Sequence, residues 1–187
     1  MAGTASRVTL ACASAPPPAA YAGSFARIQY PDGVPLKIWI DADAAPREVK
    51  DLVFRAAKRL GVPAVVVANQ RLQPPPGNPF VTAIWVDGGP DVADQHIATE
   101  AEPGDLVVTQ DIPLAALLVP KGVAVLDPRG EEHTPETIGE RLSVRDFMDQ
   151  YRTAGGVTGG PPPYDVRAKQ AFAASLDRTL TRLLRAR

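Results

Sequence analysis

The stretch LKIWIDADAAP, residues 36–46, decides how the rest of the chain reads. A short β-prone strand, Leu36 to Ile40, whose apolar residues Ile38, Trp39 and Ile40 pass directly into Asp41-Ala42-Asp43, is followed by a proline that opens a helical pattern. An apolar run of this kind suits a strand covered on both faces, the condition of a parallel sheet rather than a half-solvated antiparallel one. Two carboxylates one residue apart thus stand at the end of a strand built for burial. In such a setting an acid needs water, a helix N-terminus or a cation to stay ionised.

The same texture repeats along the chain. Pro46 to Leu60 predicts a helix closed by Gly61, and AVVVAN (64–69) a second strand, followed by the proline-rich loop RLQPPPGNP (71–79). VTAIWV (81–86) reads as a third strand ending in Asp87-Gly88-Gly89, then a helix over Asp91 to Glu100 and a fourth strand, DLVVT (105–109). A short helix over Ile112 to Val119, a fifth strand GVAVL (122–126) and a helix over Pro135 to Tyr151 complete the alternation. Short apolar strands separated by helices predict a three-layer α/β fold: a mostly parallel five-stranded sheet with helices on both faces.

The Gly/Pro-rich link TAGGVTGGPPPYD (153–165) leads to a last helix, Val166 to Leu184. Its apolar positions Val166, Phe172, Leu176, Leu180, Leu183 and Leu184 share one face and should dock on the domain. Arg167, Arg178, Arg182 and Arg185 take the other face. Three segments are expected: a disordered extension over 1–35, an α/β domain over 36–152, and a linker with its docked helix over 153–187.

Composition narrows the chemistry. The 187 residues are 45% hydrophobic and 22% charged with a net charge of −1, so no global basic field marks a nucleic-acid binder, although a local patch would suffice. One cysteine, Cys12, excludes an internal disulfide framework and a cysteine-rich zinc site. His96 and His133 lack metal-type spacing and are read as surface or helix histidines, so a metal would be held by carboxylates, which favours Mg²⁺ or Mn²⁺. No run of about 18 apolar residues exists, so no membrane partner is expected and the setting is taken as cytoplasmic. Arg7, the apolar Val8 to Ala13 and Ala13-Ser14-Ala15 resemble a secretory signal, but the run is short and Pro16 to Pro18 follow it, so the extension is the preferred reading.

Acids recur where the strands end. Asp41 and Asp43 follow the first strand, Asp87, Asp91 and Asp94 the third, and Asp111 the fourth. Ligands of parallel α/β sheets sit beyond the carboxyl ends of the strands, and several carboxylates meeting there repel one another unless a cation neutralises them. A divalent-metal site of Asp41, Asp91 or Asp94, and Asp111 accounts for the recurrence. Plainer roles stand beside it: Asp43, Asp91 and Asp111 could each cap a helix, and Asp105, at the start of its strand, reads as a turn residue at the opposite sheet end. Thr109, Asn69, Arg71 and Arg129 are candidates for holding a phosphate, or simply polar loop residues. The helix after Asp43 carries Arg47, Lys50, Arg55, Lys58 and Arg59 with Phe54 among them, a pattern that suits single-stranded nucleic acid or an ordinary solvated face.

Taken together, IDADAAP (40–46), VANQ (67–70), GGPDVADQHI (88–97), PGDLVVTQDIPLA (103–115), DPRG (127–130), RDFM (145–148), GGVTGGPPPY (155–164) and AFAASLDR (171–178) resemble the YaiI/YqxD family of bacterial proteins, over about Ile38 to Leu184. The resemblance implies a PIN-like fold, similar to Mg²⁺- or Mn²⁺-dependent ribonucleases with carboxylates at the strand ends. Asp41 and Asp43 match the family's paired aspartates, Asp91 and Asp94 its second acidic pair, and Asp111 the acid of its T-x-D-I-P-L-A segment. Ala45 stands where the family usually has Cys, so no thiol acts there.

The expected function is metal-dependent phosphodiester hydrolysis, most directly of RNA. Asp41, Asp43, Asp94 and Asp111 would be catalytic, and Asp41, Asp91, Asp94 and Asp111 would hold the ion. Asn69, Arg71, Thr109 and Arg129 would contact substrate. Two alternatives differ in class: a phosphatase with Asp41 as nucleophile, and a non-catalytic RNA- or protein-binding protein using the basic helix and the last helix's arginines. The phosphatase needs a later acidic pair, which here precedes Thr109.

Overall fold

The computed structural model describes residues 36–70, 72–86, 91–157, 159–160 and 163–186. The N-terminal extension, Arg71 and Asp87 therefore lie outside the described residues. The apolar runs form strands β1 (Ile38–Asp41), β2 (Ala64–Ala68), β3 (Val81–Trp85), β4 (Leu106–Val108) and β5 (Ala124–Leu126). A two-residue strand, β6 (Glu132–His133), pairs antiparallel with β5 and makes the sheet six-stranded, in the order β3-β2-β1-β4-β5-β6. The sequence indicates only five, because two residues carry no periodicity from which a strand could be read.

The helices are α1 (Arg47–Leu60), α2 (Val92–Glu100), α3 (Ile112–Leu118), α4 (Pro135–Thr153) and α5 (Val166–Arg185), with one turn of 3-10 helix at Val119–Lys121 after α3. Gly61 ends α1 in the left-handed conformation, φ 68°, which glycine adopts without a Cβ penalty.

Alternate residues of each strand serve opposite layers, and each layer is a cluster of buried apolar side chains. Ile38, Ile40, Val66, Leu106 and Val108 pack with Val49 and Val53 of α1 and with Phe172, Leu176 and Leu180 of α5. Trp39, Val65, Val67, Val107 and Val125 face Ala93 and Ile97 of α2, Leu114 and Leu118 of α3 and Ile138 of α4. Burial on both faces explains why the strands read as continuous apolar runs.

The last helix docks, with a face narrower than expected. Phe172, Leu176 and Leu180 are buried, Leu183 packs partly, but Val166 and Leu184 are exposed. Ala168, Ser175 and Thr179 fill the stripe instead. Its arginines are partly engaged: Arg178 donates to Ser175 Oγ and Arg182 pairs with Glu132.

Asp105 does sit at the end of the sheet opposite the strand C-termini, but as more than a turn residue. It is buried, and its carboxylate accepts the Lys37 N–H (3.0 Å), the Trp39 indole N–H (2.9 Å) and the Glu102 N–H (3.1 Å). His133 is likewise no surface residue. It is buried on β6 with neither ring nitrogen hydrogen-bonded, and burial pushes its pKa down. His96 stacks edge-on against Trp39 at 6.2 Å between ring centroids.

Candidate functional site

From β1 the chain winds through β2 to β3 at one edge, returns through α2 to β4, and continues to β5 and β6 at the other. The reversal falls between the adjacent strands β1 and β4, where the outgoing loops diverge and leave a crevice. A cleft of about 280 Å³ opens there. Asp41, Asp43, Asp91, Asp94 and Asp111 all line it, together with Asn69.

Asp41 is the last residue of β1 and is 4% exposed. Its Oδ1 accepts the Ala44 N–H at 3.3 Å and its Oδ2 the Thr109 hydroxyl at 3.0 Å. Burial pushes its pKa up, against the pull of these two hydrogen bonds. Thr109, at the end of β4, is fully buried, and its Oγ1 also accepts the Asp111 N–H at 3.0 Å. This hydroxyl is the pin that sets Asp41 and Asp111 side by side; with both its bonds internal, it positions the acids instead of reaching into the cleft.

Asp111 realises its capping role and still borders the cleft: its Oδ1 accepts the Leu114 N–H at 2.6 Å at the start of α3. Asp43 does not cap α1, whose N-cap position is Pro46 with no side-chain cap. Its Oδ2 accepts the Asn69 N–H at 2.9 Å, tying the turn after β1 to the end of β2.

Asp91 occupies the N-cap position of α2, but its side chain makes no capping bond. Its φ of 68° makes it the one non-glycine residue with positive φ among those described. One turn on, half-buried Asp94 has its pKa pushed up to about 6, first by desolvation and then by the charges of Asp41, Asp111, Asp91 and Asp43. That four aspartates act on one carboxyl is the electrostatic signature of their convergence.

Two contacts of the site have no signal in the sequence. Lys50 Nζ donates to Ala42 O at 3.1 Å, and Gln110 Nε2 to Ala44 O at 2.8 Å, so the turn bearing Asp43 is braced from both sides. Gln110 is 66 residues from Ala44 in sequence, and no local pattern signals that contact. Arg129 is exposed on the loop after β5 and is not part of the cleft lining.

The donor set is entirely oxygen, the chemistry of a hard divalent cation. Among the described residues no three His, Cys, Asp or Glu side chains stand close enough, as placed, to enclose a metal ion. The acids therefore gather around one cleft without closing a cage.

Fold and cleft together define an α/β protein with an acid-lined crevice at the switch point of a mostly parallel sheet. The chain belongs to the uncharacterised YaiI/YqxD family, whose profile matches residues 39–182. It is 57% identical to a UPF0178 protein of Myxococcus xanthus over 150 residues, 80% of this chain and 97% of the relative. It is 50% identical to the UPF0178 protein YaiI of Escherichia coli over 152 residues, 81% of this chain and 99% of the relative. A Xanthomonas campestris UPF0178 protein is 53% identical over 146 residues, 78% of this chain and 91% of the relative. No solved structure matches the chain.

Proposed function

We infer that this protein is a divalent-metal-dependent nuclease with RNA as its substrate, acting in the cytoplasm with a PIN-like arrangement of acids. The observation that carries the inference is the convergence of Asp41, Asp43, Asp91, Asp94 and Asp111 on one cleft at the strand C-terminal edge.

The residues fit Mg²⁺ or Mn²⁺. Such ions keep several waters and bind through one or two carboxylates plus substrate phosphate, so an open set of acids suits them better than a closed cage would. Of Asp41, Asp91, Asp94 and Asp111, one or two would ligate the cation directly and the others would meet its bound waters; Asp43 and Asn69 would flank it. When bound, the ion supplies Lewis acidity at the scissile phosphate and lowers the pKa of water. The chain's own contribution is position. Thr109 fixes the distance from Asp41 to Asp111, and the Asp43–Asn69 bond holds the mouth of the cleft. Burial and the charges of the neighbouring acids push the pKa of Asp94 up to about 6 without a cation; a bound cation would offset both and hold the carboxylate ionised.

The test is cleavage of single-stranded RNA by the full chain with Mn²⁺, beside an Asp41→Asn/Asp111→Asn control. Cleavage lost in the control supports the inference. Equal cleavage by both, or none across metals, overturns it.

A further inference from the structure

A second cavity, of about 320 Å³, lies on the α1 side of the sheet. Its floor is Val66 of β2 and Ala83 of β3, which pair in register, and its walls are Phe54 of α1 and Leu72. Arg47 and Lys50 stand on the rim, two cations against the single acid Asp51. This is a mostly apolar cavity with one aromatic wall and two cations on its lining, near the lower end of small-ligand pockets, on the order of 300 Å³.

Cavity and cleft share their structural members. Lys50 spends one of its three N–H donors on Ala42 O, the carbonyl between Asp41 and Asp43. Asn69 lines the cleft, and Leu72, three residues on, lines the cavity. Strand side chains repeat every second residue, so Trp85 lies on the same face of β3 as Ala83. Trp85 is 47% exposed, and its indole N–H donates at 3.3 Å to the carbonyl of Asn69, a residue that lines the cleft.

We propose that this cavity is the base-binding subsite of a single-stranded RNA track: an unpaired base is seated against Phe54, a neighbouring base stacks on Trp85, and Arg47 and Lys50 hold the phosphate between cavity and cleft. The proposal rests on the nuclease reading of the cleft. Aromatic platforms beside a cationic lip take successive bases with little sequence preference, because every base has a π-face. A duplex is excluded, since its bases are not free to enter a slot. Gln73 on the lining offers an amide to a base edge, so a modest base preference is expected.

The probe is a dye-labelled eight-nucleotide single-stranded RNA and an abasic strand of equal length, measured by anisotropy in Mg²⁺ with the full chain carrying Asp41→Asn. The base-bearing strand should bind more tightly than the abasic one. Phe54→Leu, which keeps the packing but removes the ring, should weaken the base-bearing strand by about five- to a hundredfold and leave the abasic strand unchanged. Ala83→Leu, which fills the slot from the sheet and leaves the Phe54 ring in place, should do the same. Arg47→Gln should weaken both strands and lower the salt slope by about 0.7. Equal binding of the two strands, or indifference to both Phe54→Leu and Ala83→Leu, overturns the subsite; if the unaltered chain then still cleaves RNA, the nuclease stands without it. Base-dependent binding lost in those variants upholds the subsite even where the unaltered chain cleaves nothing with any metal, and in that case only the nuclease falls.

Discussion

At Asp91 a left-handed backbone and a charged side chain are held together with no capping bond to account for them. A non-glycine residue there costs on the order of 1–2 kcal/mol. Asp91→Gly should relieve that strain and raise stability to urea by about 1 kcal/mol, while weakening metal-dependent stabilisation and cleavage. Asp91→Asn, which tolerates the same backbone, should match the parent in stability and share only the functional loss. At Thr109 the relation inverts. Thr109→Val strands a buried carboxylate oxygen and the Asp111 N–H, and should cost about 1–3 kcal/mol in urea unfolding, with Thr109→Ser retaining most of it.

Among the elements, the fit of α5 against the turn after β5 is the most exacting. Gly130 has φ +89°, its carbonyl accepts the Ser175 hydroxyl at 2.7 Å, and a Cβ there would come within 2.6 Å of the Ala171 backbone. Gly130→Ala should therefore cost roughly 2–4 kcal/mol, combining left-handed strain with overpacking against a helix that cannot yield locally. Limited proteolysis should then cut the 153–165 link faster, as α5 loosens. Gly139 is the control. It lies in α4 with open space around it, so Gly139→Ala should stabilise by about 0.5–1 kcal/mol through helix propensity alone.

For the whole molecule, the burial of Asp94 and the repulsion of the acids around it tie stability to pH and to cations. The folded-state pKa of Asp94, about 6, lies above its ordinary value of 3.8. The folded protein thus binds the proton more tightly than the unfolded chain does. Asp94's contribution is fully present below about pH 3.8 and is lost as pH rises through 6. Metal-free protein should accordingly lose stability over that window, and Asp94→Asn should flatten the loss. Added Mn²⁺ should raise the thermal midpoint more at pH 7.5 than at pH 5, where the proton competes with the ion. A cation effect that is flat with pH, or undiminished in Asp94→Asn, would count against a metal held by these acids.

The sequence by itself determined the α/β alternation, the apolar strands and the acids at their ends, because burial on both faces of a parallel sheet and the 3.6-residue helix period are written into local pattern. It also carried the family, through ordered motifs from Ile40 to Arg178. Tertiary structure alone decided what joins them. A two-residue β6 has too few residues to show a period, and the burial of His133 follows from that strand. The narrowed face of α5 is set by where the core reaches it, from Phe172 to Leu183, and leaves Val166 and Leu184 exposed. The strand order places Asp41 beside Thr109, 68 residues away, and so turns separate acids into one cleft. Pattern along a chain records which groups are buried; only strand order and register record which of them meet.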